Sequence, residues 1–230
     1  MMSDLNLSRH LSVFNPLDHP APVHIIGAGA TGSRLWLALI ELGITNISIY
    51  DFDNVESHNL ANQIYLNKHI GMPKVDALRD YYTLKTGVTP PDTMNFVNEK
   101  ITSSWRNEFD GSIFILTDTM SSRREIFETF CAANPFIHRV FETRMASTHG
   151  NVNTVNPNNY TDSLAWLDSL VDDDAPGETS ACGASISVGT TASVIANLAV
   201  WQFILSCTDL VGVDPNIELF LKPLIISKGN

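Results

Sequence analysis

Val23-His24-Ile25-Ile26-Gly27-Ala28-Gly29-Ala30-Thr31-Gly32-Ser33-Arg34-Leu35 is the stretch whose reading decides the fold. Val23 to Ile26 is a short apolar run that stops at Gly27, and Leu35, Leu37, Ala38, Leu39 and Leu42 then recur at helical spacing until Gly43 ends them. The pattern is strand, glycine turn, helix. Ile47 to Tyr50 is a second apolar run, closed by Asp51, which makes the unit βαβ with a right-handed crossover and a parallel sheet. Gly27, Gly29 and Gly32 form G-x-G-x-x-G in the turn, where missing side chains permit a tight bend, close phosphate approach and close helix packing. The N–H groups and dipole at the helix start favour an anion there, although glycines also serve tight packing with no ligand at all.

Asp51 ends the second strand about 20 residues after the glycines, where an acid accepts hydrogen bonds from ribose hydroxyls. An isolated acid in that place also caps turns. Together the glycines and the acid point to a nucleotide and do not separate a nicotinamide dinucleotide from ATP.

Working outward, Pro73 to Tyr82 reads as helix, Met94 to Val97 and Ser112 to Leu116 as strands, and Ser121 to Ala133 as the next helix. Phe136 to Phe141 and Asn151 to Val155 have strand character around a Thr148-His149-Gly150 turn, so an antiparallel extension follows the parallel strands. Residues 156–181 read as a surface excursion, with Tyr160 to Leu170 as its only helix, and Ser185 to Leu205 is the last helix. The expected architecture is a Rossmann-like α/β fold over residues 1–230, one domain with residues 1–22 as an N-terminal arm. Its sheet is mixed and mostly parallel, with helices on both faces.

The 230 residues carry a net charge of -11, with 44% hydrophobic and 17% charged residues. That balance suits a globular core and argues against sequence-independent nucleic-acid binding, which needs clustered Lys and Arg to neutralise phosphates. Three cysteines with no CxxC pair argue against a disulfide framework and a four-cysteine zinc site. With no signal-like N-terminus and no apolar run read as reaching roughly 20 residues, the expectation is a soluble, cytoplasmic protein with no membrane partner.

Asp51-Phe52-Asp53-Asn54-Val55-Glu56-Ser57-His58-Asn59-Leu60-Ala61-Asn62-Gln63 and then Ile70-Gly71-Met72-Pro73-Lys74 make a longer signature. It resembles the D-x-D-x-V-E-x-x-N-L-x-R-Q and G-x-P-K patterns of the ThiF/MoeB/HesA family, which also occur in ubiquitin-activating enzymes. Thr117-Asp118 followed by Arg123 resembles that family's T-D-N…R segment, and Arg9 stands where a family arginine precedes the domain. The resemblance implies an ATP-dependent adenylyltransferase, with ATP and Mg2+ as cofactors and no zinc. It would activate the C-terminal glycine carboxylate of a small ubiquitin-like or sulfur-carrier protein and work as a homodimer. By resemblance, Gly27, Gly29, Gly32, Asp51 and Asp53 bind nucleotide, Asn59 and Gln63 contact phosphate or the metal shell, and position 62, here Asn62, belongs to the cofactor-binding set. Lys74 neutralises phosphate, Asp118 holds magnesium, and Arg9 reaches a partner subunit's triphosphate.

The chain departs from the pattern at Asn62, where the family has arginine, exchanging a cationic fork for an uncharged amide. Arg34, Arg123, Arg124 and Arg144 are candidates to restore that charge. Brevity and Asn62 resemble divergent, minimal members from bacteria and phages. Cys182 aligns roughly with a cysteine that some relatives use in sulfur or thioester chemistry, and is otherwise a small buried hydrophobe. Arg139, Glu142 and Arg144 alternate along a strand and its end, and either line a groove for a partner's tail or form a surface ion pair. Tyr160, Trp166, Trp201 and Phe203 read as core or dimer contacts. Two competing readings remain: a non-catalytic relative acting as a binding or inhibitory module, and an NAD-dependent oxidoreductase.

Overall fold

The computed structural model describes residues 5–171, 187–208 and 212–229. Val23–Ile26 forms β1, Ala30–Glu41 forms α1 and Ile47–Tyr50 forms β2, parallel to β1, so the βαβ unit stands as the apolar periodicity requires. The buried face of α1 is Leu35, Trp36, Leu39 and Ile40, while Leu37 and Leu42 lie at its flank. Gly43 ends the helix at a φ of 86°, a conformation cheap only for glycine.

Beyond this unit come α2 (Lys74–Thr86), β3 (Asn95–Val97), β4 (Gly111–Ile115) and α3 (Met120–Ile126). The last continues as a π-helical turn over Phe127–Cys131, so the helix expected from Ser121 to Ala133 is one run in two geometries. Cys131 lies buried in that turn, and burial pushes its thiol up to about 12, which suits a core filler rather than a nucleophile. Ile137–Met145 is β5, His149–Val155 is β6, Tyr160–Asp168 is α4 and Gly189–Thr208 is α5, and a hairpin of β7 (Asn216–Leu221) and β8 (Leu224–Lys228) ends the described chain.

One eight-stranded sheet has the order β3-β2-β1-β4-β5-β6-β7-β8, parallel through β5 and antiparallel beyond it. Alternate residues feed two apolar clusters. Ile25, Ile47, Ile49 and Phe114 pack with α1 and α5, while Ile26, Ile113, Ile115 and Val140 pack with Phe127 and Trp166. From β1 the chain adds strands on one side and then returns to place β4 on the other. That reversal opens a crevice beyond the carboxyl ends of β1 and β4, where ligands bind in open α/β sheets.

Three expectations change here. β5 runs on to Met145, so the turn is Ala146–Thr148, and His149 and Gly150 belong to β6. Glu142, Thr143 and Arg144 are polar, yet Glu142 and Thr143 are buried in this strand, Glu142 among hydrogen-bond donors. Second, α5 reaches the length and apolarity of a bilayer span, which the sequence reading had not allowed; half of its apolar window is buried, and it packs on α1, β5 and β6 as a core helix does. Third, the four aromatics read as core or dimer contacts divide, Trp166 and Phe203 being core residues and Tyr160 and Trp201 exposed.

Candidate functional site

The segments following all four strands β1 to β4 meet in one cleft of about 360 Å³. Gly27 and Gly29 come from the end of β1, Asp51 and Asp53 from β2, Glu99 and Lys100 from β3, and Thr117, Asp118 and Thr119 from β4, with Lys74 arriving from the start of α2.

Each glycine of the turn has a different task. A β-carbon on Gly27, whose φ is 107°, would lie 2.7 Å from the Leu116 carbonyl oxygen, and one on Gly32 would collide with the Gly27 carbonyl oxygen. Those two glycines are packing devices. Gly29 has open space where a side chain would go, and it is the N-cap of α1 with no side chain to satisfy the helix N–H groups. An uncapped helix start facing a cleft is an anion site. Tyr65, buried, donates its hydroxyl to the Ala28 carbonyl at 2.7 Å and fixes the turn from behind.

Asp51 is buried and accepts the backbone N–H groups of Ala28 at 2.7 Å and Asp53 at 2.9 Å. Burial raises its pKa, against the lowering effect of Lys74 and of these two backbone bonds. Lys74 is delivered by residues 70–74, which pair with residues 53–55 through Gly71 N–H to Val55 O, Val55 N–H to Met72 O and Lys74 N–H to Asp53 O. Its ammonium is buried, 2.7 Å from Asp53 and 3.8 Å from Asp51. A solvated helix lysine would show none of this.

Asp118 is exposed in the cleft wall. Thr119, not Asp118, caps α3 by accepting the Ser122 N–H, so the helix-cap explanation for Asp118 falls. Among the described residues no group of three His, Cys, Asp or Glu side chains is placed to hold a metal. Asp118 as a single carboxylate suits Mg2+, which keeps waters and takes phosphate oxygens as further ligands. Four carboxylates line the cleft, Asp51, Asp53, Glu99 and Asp118, against two lysines, Lys74 and Lys100.

Not every expected residue lines the cleft. Asn59 is buried and its Oδ1 accepts the Glu56 N–H, completing a reciprocal cap of the short 3-10 helix Ser57–Ala61. Asn62 ends that helix and donates to Ser187 O at 3.4 Å. Two buried acceptors there, Asn62 Oδ1 and Gln63 Oε1, have no hydrogen-bond partner among the described residues. Arg9 is exposed on the N-terminal arm, which packs through Leu7 and Pro16 on Gly43 at the opposite end of the sheet. Cys182 lies outside the described residues.

Of the four arginines weighed for the charge missing at position 62, only Arg34 is there. Its Nε is 3.4 Å from Asn62 O, and its Nη2 is so close to Gly189 that a β-carbon on that glycine would sit 2.8 Å away. Arg123 is paired with Glu142, Arg124 with Glu128 and Leu167 O, and Arg144 with Glu142 and Ser169. Glu142 is therefore neither a groove residue nor part of a surface pair, and among the described residues Arg139 donates only to His138 O. Lys100, whose ammonium lies 5.3 Å from the Phe52 ring centre, was missed by sequence reasoning. Its place just past a parallel strand was the available signal.

Residues 19–221 match the ThiF family. A 62-residue stretch is 40% identical to the Adenylyltransferase and sulfurtransferase MOCS3 of Culex quinquefasciatus, covering 26% of this chain and 14% of that protein's length. Among solved structures, E. coli MccB is similar at a TM-score of 0.75 with 15% identity, over 98% of this chain and 69% of that one. The microcin C7 biosynthetic enzyme MccB in complex with N-formylated MccA gives 0.74 and 15%, over 97% and 71%. PaaA gives 0.68 and 16%, over 95% and 68%. These similarities share the mixed, mostly parallel sheet, and with the family match spanning the cleft and nearly all of the sheet, the chain belongs to the ThiF family.

Proposed function

We propose that this chain is an ATP-dependent adenylyltransferase that activates the C-terminal carboxylate of a small protein or peptide. The observation that carries this reading is the convergence of the uncapped Gly29 helix start, Asp51, Lys74 and Asp118 on one cleft. Structures of MccB with ATP, and of MccB with its MccA partner, support ATP and a polypeptide substrate as the classes to test. The acceptor carboxylate attacks the α-phosphorus, an acyl–oxygen–phosphorus bond forms, and the bond to the β-phosphate breaks to release pyrophosphate. No protein nucleophile is needed, so positioning and charge neutralisation supply the rate.

In this reading Asp51 holds the ribose hydroxyls, the α1 start and Lys74 hold phosphate oxygens, and Asp118 holds Mg2+, which would neutralise the triphosphate. Arg9 acts across a homodimer, since its arm lies away from the cleft of its own chain. ATP–pyrophosphate exchange, stimulated by a Gly-terminated protein that co-purifies with the chain, tests the proposal. MgATP binding with no exchange against any such partner would favour the non-catalytic module instead.

Arg34 supplies the charge that Asn62 lacks. Arg34→Ala is expected to weaken ATP binding about 10-fold while leaving adenosine binding unchanged, and adding Asn62→Arg should recover most of the loss. Calorimetric titration of the three chains checks this, and equal ATP affinity in wild type and Arg34→Ala would end the assignment.

A further inference from the structure

Glu142 is fully buried on β5, and its hydrogen-bond partners among the described residues are all donors: Arg123 Nη1, Arg144 Nε at 3.1 Å, Asn153 Nδ2 at 2.7 Å and Trp166 Nε1 at 3.2 Å. The set matches a carboxylate and would oppose the N–H groups of a carboxamide. A buried ion pair is a weak source of stability compared with well-packed apolar residues, so its presence needs another account.

The account lies on the far side of Arg123. With Nη1 on Glu142, its Nε and Nη2 both donate to the Thr117 carbonyl, at 2.9 and 2.6 Å. Thr117 lies directly beneath the glycine turn, its nitrogen 3.4 Å from where a Gly27 β-carbon would stand. Asp118 follows it. Among the described residues no hydrogen bond or ion pair holds the Asp118 side chain, so its aim is set by the backbone on either side. Arg123 fixes that backbone at Thr117, and the Thr119 cap fixes it at the start of α3.

We infer that Glu142 is a positioning residue for the nucleotide cleft, acting through Arg123 on the Thr117-Asp118 floor. The inference rests on the nucleotide reading above. It assigns Arg123 to holding the cleft rather than to replacing the missing charge at position 62.

Calorimetry of MgATP and of adenosine on wild type, Glu142→Gln, Asp118→Ala and the double variant tests it. Glu142→Gln is expected to weaken MgATP binding about 10-fold or more, as loss of a partner behind a ligand-holding group does. Adenosine affinity should stay within about twofold, and Glu142→Gln should cost nothing further when Asp118 is already alanine. Equal losses for both ligands, or full additivity in the double variant, would overturn the inference.

Should Glu142→Gln not fold, Arg123→Lys takes its place, because lysine keeps a cation beside Glu142 but gives up the paired bonds to Thr117. It should show the same selective, non-additive loss, and unchanged MgATP binding would overturn the proposal. A wild-type chain that binds neither ligand sinks the nucleotide reading and this inference together. Wild-type binding with additive losses sinks the inference alone.

Discussion

Gly29→Val is expected to give a folded chain that binds ATP about 100-fold more weakly, whereas Gly32→Ala is expected to damage the fold itself. The two glycines are one helical turn apart in a single motif. A side chain at Gly29 meets open cleft, so the stability cost is about that of a poor N-cap, roughly 1 kcal/mol. The loss falls on the ligand, whose phosphate is held off the α1 start, and losing one or two hydrogen bonds to a charged group, worth about 1.5–3 kcal/mol each, weakens binding about 100-fold. A β-carbon at Gly32 instead runs into the Gly27 carbonyl oxygen, which the β1–α1 backbone cannot move without opening the turn. Overpacking of this kind costs about 1–3 kcal/mol or more, a fall in Tm of about 2–12 °C at this chain length. Scanning calorimetry and ATP titration of both variants separate the effects, and a Gly29→Val chain that binds ATP normally would remove phosphate from the α1 start.

Lys74→Met should lower adenylation by about 100- to 1,000-fold, the range seen when one preorganised charge-stabilising group is deleted. It should also alter the dependence of stability on pH. Burial already raises the Asp51 pKa, and Lys74 is the largest influence in the opposite direction. A carboxyl whose folded pKa lies above its unfolded value contributes stability that is full below the unfolded pKa and lost as pH rises through the folded one. Without Lys74 the folded value climbs, so this loss moves to higher pH and deepens at neutrality. Carbon NMR of the Asp51 carboxyl, with melting curves from about pH 3 to about pH 8, should show the shift. An unmoved Asp51 titration would mean that the lysine is not its electrostatic partner.

The parallel half of the sheet was legible in the sequence because two physical signals coincided there. Apolar runs marked β1 and β2, and glycines marked the turn between them. β5 was legible only up to Phe141, since Glu142, Thr143 and Arg144 are polar, and Glu142 becomes an inner-strand residue by virtue of partners elsewhere, such as Asn153 and Trp166. The hairpin over residues 216–228 drew no reading, and its second strand presents Leu224, Ile225 and Ile226 to solvent, against the rule that apolar runs mark the core. At the site, Asp51, Lys74 and Asp118 were named from their order along the chain and come together in space. Arg34 beside Asn62 is a contact across 28 positions that only the packing of α1 creates. Asn59 looked like a ligand and completes a helix cap, a use of asparagine that local sequence does not distinguish.

Among the described residues, the charges exposed at the mouth of the cleft are Asp53, Glu99 and Asp118 against Lys100, with Asp51 and Lys74 buried behind them. On the proposed nucleotide reading, a bare triphosphate arriving from solution would meet an acidic rim and be repelled, while the same nucleotide already carrying a divalent cation would meet much less opposition. Such a rim would work as an electrostatic filter, admitting the metal complex and turning away the free anion. The chain would then answer to the ratio of divalent metal to nucleotide in its surroundings, rather than to nucleotide alone.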